Sequence, residues 1–196
     1  MTGTATRKLT EADLLAIPDD GVERWTIRGE LREKPSEFPE VTMTVRNRHH
    51  CEATSFTATT LCLWVRTQPQ PRGSVYSGEA GVKLRGLDET NVGVDVVYAP
   101  PDVVAVQSDD KTLLLDGVPT LCVEILSPND TVEQIEEKTD EYLGAGVPLV
   151  WVVNPTRRTV TVHRPGAEPV LYNRTQTVPE HPAMPGFSPA VAELFE

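Results

Sequence analysis

This sequence has few of the features that mark disulfide-rich, membrane-spanning or secreted proteins. Its three cysteines, Cys51, Cys62 and Cys122, include no Cys-x-x-Cys pair, which excludes a zinc-binding pair and predicts small buried apolar residues. The longest apolar stretch, Val147 to Val153, is far shorter than the roughly 20 residues that span a bilayer. Residues 1–8 precede no apolar segment, which predicts a flexible tail without a signal peptide. We therefore expect a cytoplasmic protein with no membrane partner.

Basic side chains are also scarce relative to acidic ones. The chain has 18 lysines and arginines against 29 aspartates and glutamates, a net charge of −11. Tight nonspecific binding to duplex DNA needs clustered positive charge, so this balance argues against it. The charge is uneven, however, because residues 24–34 and 46–50 are locally basic whereas residues 130–141 are strongly acidic. A local basic face is therefore compatible with the sequence.

The length and composition are those of an ordinary globular protein. Of the 196 residues, 39% are hydrophobic and 24% are charged. A chain of this length can bury a core without disulfides or a structural metal. Because we find no internal repeat or linker, we predict a single domain over residues 1–196.

The residue patterns in the first third of the chain predict two helices separated by a hairpin. Thr10 to Ile17 favours a short helix with Thr10 as its N-cap. Trp25–Ile27 and Leu31–Glu33 flank a glycine-containing turn and predict a hairpin. Asn47 to Thr67 predicts a long helix despite its many threonines, which are weak helix formers.

The rest of the chain is rich in predicted strands and contains a clear βαβ unit. This unit consists of a strand at Leu121–Leu126, a helix at Thr131–Ala145 and a strand at Leu149–Val153. The two strands are almost continuously apolar, as expected of parallel neighbours that are covered on both faces. The pattern predicts an α/β (α+β) fold, with further strands at Ala80–Leu84, Val92–Ala99 and Val103–Val106 and a final hairpin of Thr159–His163 and Val170–Tyr172.

Two carboxylates lie within apolar strands, where packing alone does not explain them. Asp95 is in the run Val94-Asp95-Val96-Val97, and Glu124 is in Val123-Glu124-Ile125. Burying an ionised carboxylate costs several kcal/mol unless it is paired or bound to a metal. Each therefore needs a partner.

Lys138 is the base that can reach these carboxylates. It shares one face of the predicted helix with Ile135 and Tyr142, because the three are spaced by three and four residues. This face points toward the sheet and Glu124. A buried Glu124–Lys138 ion pair, with Asp95 capping a strand end or bonded to backbone N–H groups, would explain each residue alone. Taken together, two acids and a lysine in apolar surroundings favour a Mg²⁺-type site.

Several segments closely resemble the Uma-type family of putative restriction endonucleases. The resemblance covers most of the chain and is weaker between Arg32 and Glu79. Its opening segment is Leu9 to Leu31 and its closing segment is Met184-Pro185-Gly186-Phe187-Ser188. Its central segments are Asn91 to Tyr98, Val123 to Pro128, Lys138 with Tyr142, and Ala145 to Pro155.

The resemblance implies a fold, an activity and a set of site residues. The family belongs to the PD-(D/E)XK superfamily, whose members share a mixed central sheet flanked by helices and cleave phosphodiesters with Mg²⁺. By this resemblance Asp95 is the first acid and Glu124 the second, and both would hold the metal with the Ile125 carbonyl. Leu126 stands where the superfamily has its lysine, but the family instead has a lysine on the following helix, which matches Lys138.

Several other polar residues are secondary candidates. Asp102 forms a literal Pro-Asp pair, but its double proline predicts a turn, so Asp95 is favoured. Glu30 could approach the metal, although a solvated hairpin residue explains it equally well. His49 and His50 point in different directions on a helix, and a surface position is favoured for both over contact with phosphate. Ser127 could touch the substrate, yet a helix cap over Ser127 to Asp130, completed by Glu133, suffices to explain it.

Two functions remain open from the sequence. The first is a DNA endonuclease dependent on Mg²⁺, with Mn²⁺ as a substitute, that uses Asp95, Glu124 and Lys138. The second is a catalytically inactive nuclease-like binding or regulatory module, which could be a homodimer, in which the same residues form a buried polar network. The acidic net charge and the missing strand lysine favour the second.

Overall fold

The central feature of the fold is one mixed β-sheet. The computed structural model describes residues 7–34, 47–84, 89–107, 113–128 and 130–196. Within these ranges the sheet has nine strands, in the order β2-β1-β4-β6-β7-β8-β9, and β3 pairs with both β4 and β5. The strands are β1 Arg24–Ile27, β2 Glu30–Glu33, β3 Ser74–Leu84, β4 Asn91–Ala99, β5 Leu115–Gly117, β6 Leu121–Ile125, β7 Leu149–Asn154, β8 Thr159–Arg164 and β9 Ala167–Asn173.

Four α-helices accompany the sheet in the described part of the chain. They are α1 Glu11–Leu15, α2 Arg48–Thr67, α3 Pro101–Val106 and α4 Val132–Gly144, and a 3₁₀ helix covers Val191–Leu194. Strand β6 is parallel to β7 and antiparallel to β4, and α4 connects β6 to β7. The predicted βαβ unit and the mixed α+β fold are therefore confirmed. Among the described helices, none has both the length and the apolarity to cross a membrane.

Two hydrophobic clusters cover the two faces of the sheet. One cluster contains Trp64 of α2, Trp151 and Phe187. The rings of Trp151 and Phe187 stack with their centroids 5.7 Å apart. The other contains Tyr142 of α4 together with Trp25. Alternate residues of β6 join the two clusters, which explains why this strand is apolar throughout and why a charged residue in it needs a partner.

The local helix and turn signals in the sequence are largely confirmed. Thr10 caps α1 in a capping box with Asp13, and Asn47 caps α2 by accepting the His50 N–H at 3.0 Å. The hairpin β1–β2 forms around the predicted turn. The predicted cap of α4 is wrong, because Thr131 caps this helix with Gln134 in place of Asp130 with Glu133. Asp130 Oδ2 instead accepts the Ser127 N–H at 2.6 Å.

Two further expectations are corrected, and a third falls mostly outside the described residues. The strand predicted at Val103–Val106 is part of helix α3, because Pro101 lies in its first turn, where a missing N–H costs nothing. Cys122 is buried as expected, whereas Cys51 and Cys62 are exposed on α2. Residues 1–6 of the predicted tail lie outside the described ranges, and Arg7 is paired with Asp13 at 2.8 Å.

Candidate active site

The candidate site lies where β4 and β6 separate. Their antiparallel register ends at Val96 opposite Val123, and extending it by one residue places Asp95 opposite Glu124. At this point the Ile125 N–H donates to Asp95 Oδ2 at 2.7 Å. The Asp95 carboxylate therefore accepts the Ile125 N–H at the point where the backbone pairing of β4 with β6 ends. This brings Asp95 and Glu124 next to each other.

Glu124 is held by a lysine and a tyrosine from α4. Lys138 Nζ lies 3.1 Å from Glu124 Oε2 and also donates to the Gly93 carbonyl at 3.0 Å. The Tyr142 hydroxyl donates a hydrogen bond to Glu124 Oε1. Lys138 also lies over the Trp25 ring, with Nζ 5.1 Å from its centroid. The prediction that Lys138 and Tyr142 face Glu124 is confirmed.

Burial and neighbouring charges shift the pKa values of this group. Burial raises the pKa of Glu124 to about 7, although Lys138 opposes the rise and Asp95 adds to it. Burial by itself would lower the pKa of Lys138, but Glu124, with Glu23 and Glu79, holds it above its usual value. Glu124 can therefore exchange a proton near neutral pH, while Lys138 stays charged.

Asp95 is paired with His50, a residue for which the sequence favoured a surface position. His50 is 5% exposed, and its Nε2 lies 3.1 Å from Asp95 Oδ1. Burial by itself would raise the pKa of Asp95, but His50 and the Ile125 N–H together hold it below its usual value. The surface prediction is wrong for His50 and right for His49, whose side chain is 57% exposed.

Glu79 also lines the candidate site, and no pattern in the sequence predicted it. It lies at a register shift in β3, between Ser77 and Ala80, and has a φ of 61°. A β-bulge can redirect a side chain, and non-glycine residues in the left-handed region cluster at functional sites. Its Oε2 lies 3.1 Å from the position that a Cβ on Gly93 would take. The segment Ser77-Gly78-Glu79-Ala80 resembles an ordinary turn, and only the unusual Gly-Glu pair before a strand could have drawn attention to it.

His50, Glu79 and Asp95 form a group that could hold a divalent metal ion. Each offers one ligand atom, and these atoms all lie within 4.8 Å of one another. Adjacent ligands of an octahedral ion with bonds of about 2.1 Å are about 3.0 Å apart, close to the His50–Asp95 distance of 3.1 Å. Glu124 is outside this group, and its oxygens accept hydrogen bonds from Lys138 and Tyr142.

A small cavity joins Glu79 and Asp95 to Glu124 and Lys138, and His50 is not among its lining residues. Five of its lining residues are described above: Glu79, Asp95, Glu124, Ile125 and Lys138. The others come from the segment around the β1–β2 hairpin and from the start of α4: Glu23, Trp25, Lys34, Asp130, Gln134 and Ile135. On its rim Lys34 pairs with Asp130 at 2.6 Å. The cavity gives the buried acids an opening to solvent.

The remaining candidates, Glu30, Asp102 and Ser127, are not among the residues that line this cavity. The Glu30 side chain is 73% exposed and pairs with Arg32. Asp102 is exposed in the first turn of α3. The Ser127 Oγ is buried and has no hydrogen-bond partner among the described residues. Neither Glu30 nor Asp102 lines the cavity.

Asp95 and Glu124 thus lie beside each other on adjacent strands of a mixed sheet, and Lys138 of α4 contacts Glu124. A family model described as Uma2, putative restriction endonuclease, matches residues 16–192. The chain therefore belongs to this family.

A solved structure has the same fold. It is that of a putative nuclease of DUF820 from Anabaena variabilis ATCC 29413, with a TM-score of 0.74 and 18% sequence identity. The match covers 95% of this chain and 97% of the other. No curated protein matches the chain.

Proposed function

We propose that the protein is a metal-dependent endonuclease that hydrolyses phosphodiester bonds in DNA with Mg²⁺. The observation that carries the proposal is the convergence of Asp95, Glu124 and Lys138 at one cavity in a chain of this family. Asp95 is the central ligand, with Glu124 and the Ile125 carbonyl as the further ligands that the family pattern implies. A divalent ion held there would polarise the scissile phosphate and lower the pKa of an attacking water.

Lys138, Glu124 and Asp95 would hold the metal and the scissile phosphate in place and offset the negative charge of the phosphate. The Lys138 ammonium is fixed by Glu124 and the Gly93 carbonyl, so it can stabilise negative charge that develops on a phosphate at the cavity without moving first. Burial raises the pKa of Glu124 to about 7, and a cation bound beside it would favour the ionised form that acts as a ligand. Asp95 remains ionised and available as a ligand.

The test is cleavage of plasmid DNA by the wild-type protein and by matched variants. We expect nicking or linearisation that requires Mg²⁺ or Mn²⁺ and is lost in Asp95→Asn and Glu124→Gln. Asp102→Asn is the matched control, because Asp102 is an exposed acid in a Pro-Asp pair outside the cavity. Cleavage that survives both site variants, or that is lost equally in the control, would contradict the proposal.

The inactive module is the competing function, and one observation favours it. Glu124 already has a lysine and a tyrosine as partners, so the network is satisfied without a metal. In that case neither DNA nor RNA is cut under any metal condition. Such a module could form a homodimer, which light scattering on the purified protein would detect.

A further inference from the structure

The site contains a nitrogen donor that a Mg²⁺ site does not require. His50 comes from the first turn of α2, Glu79 from the bulge of β3 and Asp95 from β4, and their ligand atoms converge within 4.8 Å. His50 and Asp95 are each 5% exposed. Side chains from three separate elements are therefore fixed around one point.

The His50 ring contacts Asp95 on one side and Thr54 on the other. Nε2 lies 3.1 Å from Asp95 Oδ1, and this pairing contributes to the lowered pKa of Asp95. The Thr54 hydroxyl donates to the His50 carbonyl at 2.8 Å, and its oxygen lies 3.4 Å from His50 Nδ1, where it can accept from Nδ1–H. A divalent ion can therefore take the place of a proton between Nε2 and Asp95, while Nδ1–H faces Thr54.

A histidine that ligates a metal commonly has this arrangement, with its second nitrogen donating to a neighbouring oxygen that orients the ring. Mg²⁺ prefers oxygen ligands and retains several waters, whereas imidazole nitrogen suits first-row transition ions. The donor set of one imidazole and two carboxylates thus differs from the all-oxygen set that the family pattern implies.

We propose that His50, with Glu79 and Asp95, makes this site select a first-row divalent ion such as Mn²⁺ over Mg²⁺. The inference rests on the proposed function, since it names the ion that the metal-dependent reaction would use. The inference adds His50 and Glu79 to the ligands named under the proposed function. Asp95 is a ligand in both proposals.

The experiment measures Mn²⁺ and Mg²⁺ binding by calorimetry in wild type, His50→Asn and His49→Asn. His49 is the matched control because it is the adjacent residue on the same helix and is exposed. We expect wild type to bind Mn²⁺ at least about tenfold more tightly than Mg²⁺. His50→Asn should weaken Mn²⁺ binding by about 10–100-fold and Mg²⁺ binding much less, while His49→Asn leaves both unchanged.

A spectroscopic measurement on the wild-type protein tests the same inference without depending on whether a variant folds. Electron spin-echo modulation of bound Mn²⁺ should contain coupling to a ¹⁴N nucleus, and its absence would overturn the inference. Equal affinities for the two ions in wild type, equal weakening of both in His50→Asn, or no Mn²⁺ binding at millimolar concentration would also overturn it.

DNA cleavage separates this inference from the proposed function. If wild type cleaves DNA with Mg²⁺ but has no preference for Mn²⁺, the ion selectivity is wrong and the nuclease proposal stands. If Mn²⁺ selectivity and nitrogen coupling are present but no nucleic acid is cut, the nuclease proposal fails and the selective site stands.

Discussion

Replacing Lys138 by methionine tests whether the centre of the site is a buried ion pair. The side chains of Lys138 and Glu124 are each 6% exposed, with Nζ and Oε2 3.1 Å apart. Removing one member of such a pair leaves a buried charge, which costs about 3–5 kcal/mol if it stays ionised. Because Glu124 can instead take up a proton, the pH-dependent loss is limited to about 1.4 kcal/mol for each pH unit above its pKa of about 7. For a chain of this size we expect the melting temperature to fall by at least roughly 3–6 °C at pH 8.

The pH dependence of this loss follows from the pKa of Glu124. Lys138 lowers that pKa, which is about 7 in the intact pair, so the variant should raise it further. A carboxyl group with a raised pKa stabilises the folded state below its unfolded pKa and loses this contribution as pH rises through the folded pKa. The deficit of Lys138→Met relative to wild type should therefore be small at pH 5 and grow through pH 7.

Urea denaturation at pH 5 and pH 8 measures this deficit. The double variant Lys138→Met/Glu124→Gln should recover much of the loss at pH 8, since the orphaned charge is gone. Lys83→Met is the matched control, because the Lys83–Glu11 pair is 39% and 26% exposed and should contribute less than about 1 kcal/mol. A loss under about 1 kcal/mol for Lys138→Met, or one independent of pH, would refute the buried ion pair.

Three further predictions concern single groups near the site or in the fold. Gly93→Ala places a Cβ 3.1 Å from Glu79 Oε2 and should weaken Mn²⁺ binding by roughly tenfold; unchanged affinity in calorimetry would remove Glu79 from the ligand set. Tyr142→Phe leaves Glu124 without its hydroxyl donor and should cost about 1–3 kcal/mol in urea denaturation, so a neutral result would contradict that hydrogen bond. Gly146→Ala meets no atom within 4 Å but has a φ of 93°, so the same assay should find a loss of about 1–2 kcal/mol caused by backbone strain alone.

The sequence predicted the parts of the fold and site that depend on periodicity. Glu124 stood out as a charge in an apolar strand, and helical spacing placed Lys138 and Tyr142 on the face toward it. These inferences need only the geometry of one strand and one helix. The roles of Asp95, Glu124 and Lys138 in catalysis remain predictions.

The contributions of His50 and Glu79 could not be predicted in this way, because they depend on contacts between distant segments. His50 begins a helix whose orientation is set by packing against the sheet, and two adjacent histidines give no sign of which one is buried. Glu79 reaches the site only because a bulge shifts the pairing of β3 with β4. The error at Val103–Val106 has a local cause, since its valines favour a strand but Pro101 starts a helix.

The two carboxylate oxygens of Asp95 have different partners, which affects how an aspartate at this position in a relative should be interpreted. One oxygen satisfies the Ile125 N–H where the strands part, and the other faces His50. A relative without nuclease activity would still need an acceptor for that backbone N–H, because an unpaired buried N–H is costly. Folding alone therefore favours a side chain such as aspartate or asparagine here, and an aspartate at this position in a relative is by itself no evidence that the relative cuts nucleic acid.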